Sequence, residues 1–191
     1  MSVKIIQNID VKKVWKHLNT KWLVRSLWQM KDARRAAPKL AAFKRSALKE
    51  KIFKLEAAYL IFNDEKAKFK LKAKGYRQLA LQLVTVGSGA IEYGQKLYKE
   101  GRYSDYFLMH GFAAATTEAL AQMTHLAIEK ELGLRKGSTR RISPGYPVWP
   151  ELSSQKEICK LLRASKIGIG LTETFELVPE YSTSAMVIQK I

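Results

Sequence analysis

Arg140-Arg141-Ile-Ser-Pro-Gly-Tyr-Pro-Val-Trp-Pro150 holds the densest set of recognition groups in the chain. Its two arginines offer planar donor forks for a carboxylate or a phosphate. Gly145 lets a ligand approach the backbone, and Tyr146 and Trp149 can stack on a ring or face a cation. Pro144, Pro147 and Pro150 hold the loop extended at low entropic cost. The set suits a ligand that carries a carboxylate, a cation and an aromatic ring. Read from the residues alone, it suits better a proline-rich connector whose aromatics cover the core.

Other candidate chemistry is sparser. Gly87-Ser-Gly89 follows a strand-like run and precedes a helix-like one, the place where backbone N–H groups cradle phosphates. A dinucleotide fingerprint would need a third glycine at the position of Glu92, and no Gly-Lys-Ser/Thr follows, so a plain turn competes with phosphate binding. His17, His110 and His125 lack metal-ligand spacing. Glu118 and His125 share a helix face but sit on the order of 10 Å apart along the axis, too far for one ion. No metal site is expected, and His125 suits a hydrogen-bonded structural role. The lone Cys159, on the apolar side of a short helix, reads as packing. No nucleophile elbow is present, and the catalytic residues, if any, are unknown.

The elements that must position these groups follow from hydrophobic period. Residues 11 to about 30 place Val14, Leu18, Trp22 and Arg25 on one stripe with Trp15 and Leu23 beside it, which predicts one amphipathic helix or two short ones after an Asp10 cap. A second, basic helix is expected from Pro38 to about Ala57. Ala58–Phe62 and Lys68–Lys72, joined by a turn at Asn63–Lys66, read as a hairpin, and Leu79–Val86 as a strand buried on both faces. A helix through Ile91–Tyr98 stops at Gly101, and Ser104 or Asp105 caps a long helix to about Leu132. In that helix Met109, Phe112, Thr116, Leu120, Met123 and Ala127 form a core stripe. Gly133–Pro150 reads as irregular, and Ser153 or Ser154 as the cap of a short helix through Leu162. Strand-like runs follow at Ile167–Leu171, Thr174–Val178 and Ala185–Ile188. Strands and helices do not alternate, so the expected class is α+β with a mainly antiparallel twisted sheet and flanking helices, the longest near 105–132.

The chain has 191 residues and a formal net charge of +17, with 47% apolar residues. That composition excludes a disordered polymer and fits one domain over residues 1–191. A lone cysteine excludes an intramolecular disulfide framework. No signal peptide and no run of about 20 apolar residues is present, so a soluble cytoplasmic protein with no membrane partner is expected. Residues 1–75 hold 20 Lys/Arg against 6 Asp/Glu, and residues 76–191 hold 14 against 11. The basic first part is either a docking face for an anionic partner or a set of solvated helix faces.

Arg141-x-x-x-Gly145-Tyr146-Pro147, then Pro150, Leu171-Thr-Glu-x-Phe175 and Pro179-x-x-Ser182-x-Ser184, resembles the activation domain of cobalamin-dependent methionine synthase. Glu118-Ala119 with His125 looks like that family's Glu-Ala and His pair, and Val84-Thr85-x-Gly87 like the end of its central strand. The resemblance covers residues 79–187. It implies a reactivation-type protein that binds S-adenosylmethionine. With an electron from a flavodoxin-like or ferredoxin-type donor, such a protein restores methylcobalamin after the cobalt has been oxidised, in support of methionine biosynthesis. By the same resemblance Arg141 grips the methionyl carboxylate, main-chain groups near Ser143 contact the ligand, Gly145 and Tyr146 border it, and Glu118 lies beside it. The cobalamin belongs to a partner, a corrinoid-binding methyltransferase or methionine synthase subunit.

Where the family has a ligand-binding Asp, this chain has Asn19 or Thr20, so the ligand ammonium loses a charge-assisted bond of about 1.5–3 kcal/mol. The chain stops at Ile191, where the family continues into a tyrosine pair and further helices, and it reads as a stand-alone, truncated form. Two rival expectations follow. One is a docking or assembly factor for a corrinoid protein that has lost ligand binding. The other is nucleic-acid binding through the basic first part with Trp15, Trp22 and Trp28, which is disfavoured because the tryptophans fall at positions that core packing explains.

Overall fold

The structure, a computed structural model, describes residues 2–31, 33–62, 69 and 75–191. Five strands form an antiparallel sheet in the order β1-β2-β3-β7-β4: β1 Lys4–Ile6, β2 Glu56–Ile61, β3 Tyr76–Thr85, β7 Ser182–Lys190 and β4 Arg140–Ile142. A two-stranded ribbon joins β5 Gly170–Leu171 to β6 Leu177–Val178. The helices are α1 Val11–Val14, α2 Thr20–Trp22, α3 Ala33–Lys49, α4 Gly89–Lys99, α5 Tyr103–Glu131 and α6 Ser154–Leu161. The α+β class is therefore the observed one.

Alternation along β2, β3 and β7 sorts the core into two layers. Ala57 and Val84 face the α5 side and join its cluster, while Tyr59, Ala80 and Val187 meet Ile128 of α5. Ala58, Leu60, Leu81, Leu83, Met186 and Ile188 face the other way, onto Ile158 and Leu162 of α6 and its flank. The strand β3 is buried from Leu79 onward, as expected for a strand covered on both faces. Its neighbours are antiparallel, with Leu81 opposite Leu60 on one side and Met186 on the other.

The long helix α5 is buried on most sides because the N-terminal segment packs over it. Trp15, Phe53 and Phe43 surround Phe112, with ring centroids 5.5, 5.6 and 6.1 Å away. Gly111 admits Trp28, since a Cβ there would fall 2.8 Å from the indole Cδ1. Met109, Phe112, Thr116 and Leu120 are buried as the stripe predicts, but Ala127 is exposed. The apolar cluster over this side of α5 takes in residues 108 to 123 and ends before it.

Several expected elements differ. Residues 11–27 are short pieces out of phase with one another. Asp10 caps α1 through a bond from the Lys12 N–H (2.9 Å), but Asn19 caps a fresh start by accepting from the Trp22 N–H (3.0 Å). Leu23–Leu27 then winds as a π-turn, with the Trp28 N–H reaching the Leu23 carbonyl at 2.8 Å. This restart buries Leu23, Val24 and Trp28 and leaves Trp22 and Arg25 outside. The second helix begins at Ala33 with Pro38 inside it, and it ends at Lys49, so Ala57 belongs to β2. β2 pairs with β1 on one side and β3 on the other. The predicted turn 63–66 and second arm 68–72 lie, Phe69 apart, outside the described residues.

Neither Ser104 nor Asp105 caps α5. Arg102 stands at the cap, and its guanidinium donates to the Asp105 carboxylate at 2.8 Å. The segment 133–150 contains β4, too short for alternation to reveal. Ser153 makes no capping bond, while the Ser154 hydroxyl accepts from the Trp149 indole at 3.0 Å. The start of the expected 167–171 strand turns instead as a 3-10 segment, Ala164–Ile167, and Thr174–Val178 reduces to β6. No helix among the described residues is long and apolar enough to cross a membrane.

Candidate functional site

On α5, Ala115, Glu118, Ala119 and Gln122 recur at three- and four-residue spacing and share one face. Opposite them the turn between α1 and α2 supplies His17 and Asn19, α2 supplies Trp22, and the two sides enclose a pocket of about 500 Å³. Trp22 is 37% exposed, its ring left free by the restart of the helix at Asn19. Glu118 is the one carboxylate, and no Lys or Arg is among the described residues lining the pocket.

The strand β4 delivers Arg141 to this side. Arg141 lies opposite Val187, which faces α5, and its guanidinium is ion-paired with the Glu118 carboxylate. The arginine side chain is 18% exposed and the glutamate 47%, so the pair is open to a solute. Carboxylate, amide and indole suit a cationic group, and the adjacent guanidinium suits a carboxylate. Asn19 and Glu118 thus line one pocket, and Arg141 joins them through its ion pair with Glu118.

Ser143, Gly145 and Tyr146 are not part of that pocket. Ser143 and Tyr146 line a separate groove of about 770 Å³ that also receives Gln155, Glu176, Glu180 and Ser184. The Ser143 hydroxyl donates to the Ser184 carbonyl at 2.7 Å, and the Ser184 hydroxyl to Gln155 at 2.8 Å. Gly145, at φ +87°, makes a tight turn in which its N–H donates to the Trp149 carbonyl and the Trp149 N–H to the Tyr146 carbonyl, both at 2.8 Å. It lines neither cavity. The turn sends the two aromatics apart: Tyr146 is 66% exposed, whereas Trp149 is buried against Phe69. Trp149 is therefore core and not a stacking platform.

Gly87-Ser-Gly89 is a packing turn. Gly87 takes φ +80°, and a Cβ on Gly89 would fall 2.2 Å from the Ile52 carbonyl oxygen. Trp15 and Trp28 are buried and donate to Thr116 and to the Leu108 carbonyl, which leaves Trp22 as the open indole of the three named for nucleic acid. Burial pushes the Cys159 thiol up to about 11, in keeping with packing.

His125 belongs to a structural network. Its Nε2 is 2.6 Å from the Thr139 hydroxyl, which donates to Glu129 at 2.7 Å, and Glu129 also accepts from the N–H groups of Gly137 and Thr139. Burial lowers the His125 imidazole below its ordinary 6.5, against the raising effect of Glu129. Burial works to raise Glu129, but the bonds from Thr139 and Gly137 outweigh it and hold the carboxyl below 4.5. Sequence reasoning missed this role of Glu129, and it missed His17 and Gln122 as pocket walls. The available signal was the four-residue step from Glu118 to Gln122.

The family model for the vitamin B12 dependent methionine synthase activation domain matches residues 69–190. Methionine synthase of Mycobacterium tuberculosis is 32% identical over 129 residues, and that of Mycobacterium leprae 30%. Each alignment takes in 58% of this chain and 11% of the relative, so the chain spans a small part of those proteins. The fold superposes on the crystal structure of the MetH reactivation domain bound to AdoHcy with a TM-score of 0.80 at 15% identity, over 100% of this chain and 79% of that one. That likeness speaks to the fold. The matched span contains β3, α5, β4 and β7, and with them Glu118 and Arg141, while Asn19 and Trp22 fall outside it. By the match over these residues, the chain belongs to the family of vitamin B12 dependent methionine synthase activation domains.

Proposed function

We propose that the chain binds S-adenosylmethionine and supports reductive methylation of the cobalamin held by a corrinoid-binding partner, a methyltransferase or methionine synthase. The observation that carries this reading is that Glu118, which lines one pocket with Asn19, is ion-paired with Arg141. The ligand's methyl group and an electron from a flavodoxin-like or ferredoxin-type donor supply the chemistry. The residues of the chain bind and orient.

Arg141 takes the methionyl carboxylate, which requires it to share its donors with Glu118. Glu118 offsets the positive charge of the ligand, and the Trp22 face adds a cation–π contact. Asn19 contributes less than a carboxylate would, because its Oδ1 already accepts the Trp22 N–H. In this reading Ser143 and Tyr146, which line a separate groove, receive the part of the ligand remote from the carboxylate.

Titration calorimetry of the wild type with S-adenosylmethionine tests the reading. Saturable binding that is lost in Arg141→Ala and weakened in Glu118→Gln is expected. A wild type that gives neither heat nor thermal stabilisation at millimolar ligand overturns it.

The occupied Asn19 amide and the pre-formed Arg141–Glu118 pair favour one alternative, a docking or assembly factor for a corrinoid protein without ligand binding. Capture of a corrinoid protein that Arg141→Ala leaves unchanged would support that alternative.

A further inference from the structure

A second cleft lies on the opposite face of the sheet, where the end of α6 meets the 3-10 segment and β5, and its volume is about 440 Å³. Lys160, Arg163 and Lys166 line it with Ser165, over a floor that includes Ile169 and Leu171. No carboxylate is among the described residues lining it, and none of the three cations has an ion-pair partner among the described residues.

Two features cost stability at this place. Arg163 is held at φ +52° just past the end of α6, the position where glycine is the ordinary residue because it carries no Cβ. Lys156 and Lys160 stand one turn apart on α6, where like charges repel. Of these residues Lys160 and Arg163 line the cleft, and with Lys166 they concentrate positive charge around it. At this position the arginine places its guanidinium at the rim of the cleft, where glycine would place nothing.

We propose that this cleft binds a small phosphate-bearing molecule. Lys160, Arg163 and Lys166 hold its phosphate groups, and its apolar body lies on Ile169 and Leu171. The arginine fork matches phosphate oxygens in two-point geometry, the lysines act as point charges, and the Ser165 hydroxyl adds a donor. This site is separate from the Arg141 pocket and does not depend on the reading given to it.

Calorimetry of the full chain at low salt with ADP and with inorganic pyrophosphate is the test. Saturable one-to-one binding of ADP, tighter than that of pyrophosphate, is expected. Arg163→Gly weakens ADP binding by about tenfold or more, the size of a lost charge-assisted bond. The same change raises Tm, because it removes a left-handed side chain, so the loss of binding cannot come from damage to the fold. Lys166→Gln weakens binding with Tm unchanged, and Lys12→Gln with Lys13→Gln leaves binding as in the wild type. Absence of saturable binding to either probe overturns the proposal. So does an equal loss in the Lys12/Lys13 variant, which would mark a diffuse attraction by a chain of net charge +17. Pyrophosphate binding as tightly as ADP overturns the role of the apolar floor.

Discussion

The two ends of the polar stretch of α5 use the same residue type in opposite ways. Glu129 is 2% exposed, and its carboxylate is saturated by Thr139 and Gly137. Glu118, three turns earlier, is half exposed, carries one ion pair and faces a pocket. A buried carboxylate that accepts from three donors is part of the architecture, since it closes the 132–139 loop back onto the helix. A half-exposed one with spare acceptor capacity is available to a ligand. The contrast also separates His125, which lies in the saturated network, from His17, which lines the pocket.

The largest expected effect tests the saturated end. Glu129→Ala leaves two backbone N–H groups and a hydroxyl without their acceptor and should cost about 3 kcal/mol of stability, read from denaturant unfolding. A loss as small as that of a surface change would erase the contrast. Next, Asn19→Asp keeps a capping oxygen but adds the missing carboxylate. It should tighten S-adenosylmethionine by about tenfold or more in calorimetry, with stability nearly unchanged.

Acid should act on the saturated end. The folded-state values of His125 and Glu129 both lie below the ordinary ones, so the unfolded chain binds more protons. The stability they contribute is full above 6.5. It falls as pH drops through that value for His125, and again as pH drops below 4.5 for Glu129. Thermal melts across this range should show the decline, and Glu129→Gln should flatten its lower part. The smallest effect is expected at the open end, where Glu118→Gln should change stability by less than about 1 kcal/mol while weakening the ligand.

The site was legible in part. Arg141 stood out because an arginine pair beside Gly145 and Tyr146 is rare chemistry, and Glu118 came with the family resemblance. That Arg141 turns toward α5 follows from the strand register against Val187, which no local pattern in a three-residue strand reveals. The turn from Gly145 to Trp149 uses the glycine for φ and buries the indole, as the connector reading of this segment has it. The placement of Trp22 was also hidden, since the phase of a helix is set where it starts, and the Asn19 cap resets it.

By itself the sequence determined the α+β class, the long helix, the doubly buried strand β3 and the family. Those properties rest on hydrophobic period over ten residues or more and on ordered motifs, which are local and survive without coordinates. Tertiary structure alone decided which strand pairs with β2, where Pro38 sits in α3, and which polar side chains are saturated and which are open. Those outcomes depend on contacts between residues far apart in the chain, such as Glu118 with Arg141, and long-range packing overrides local propensity wherever the two compete.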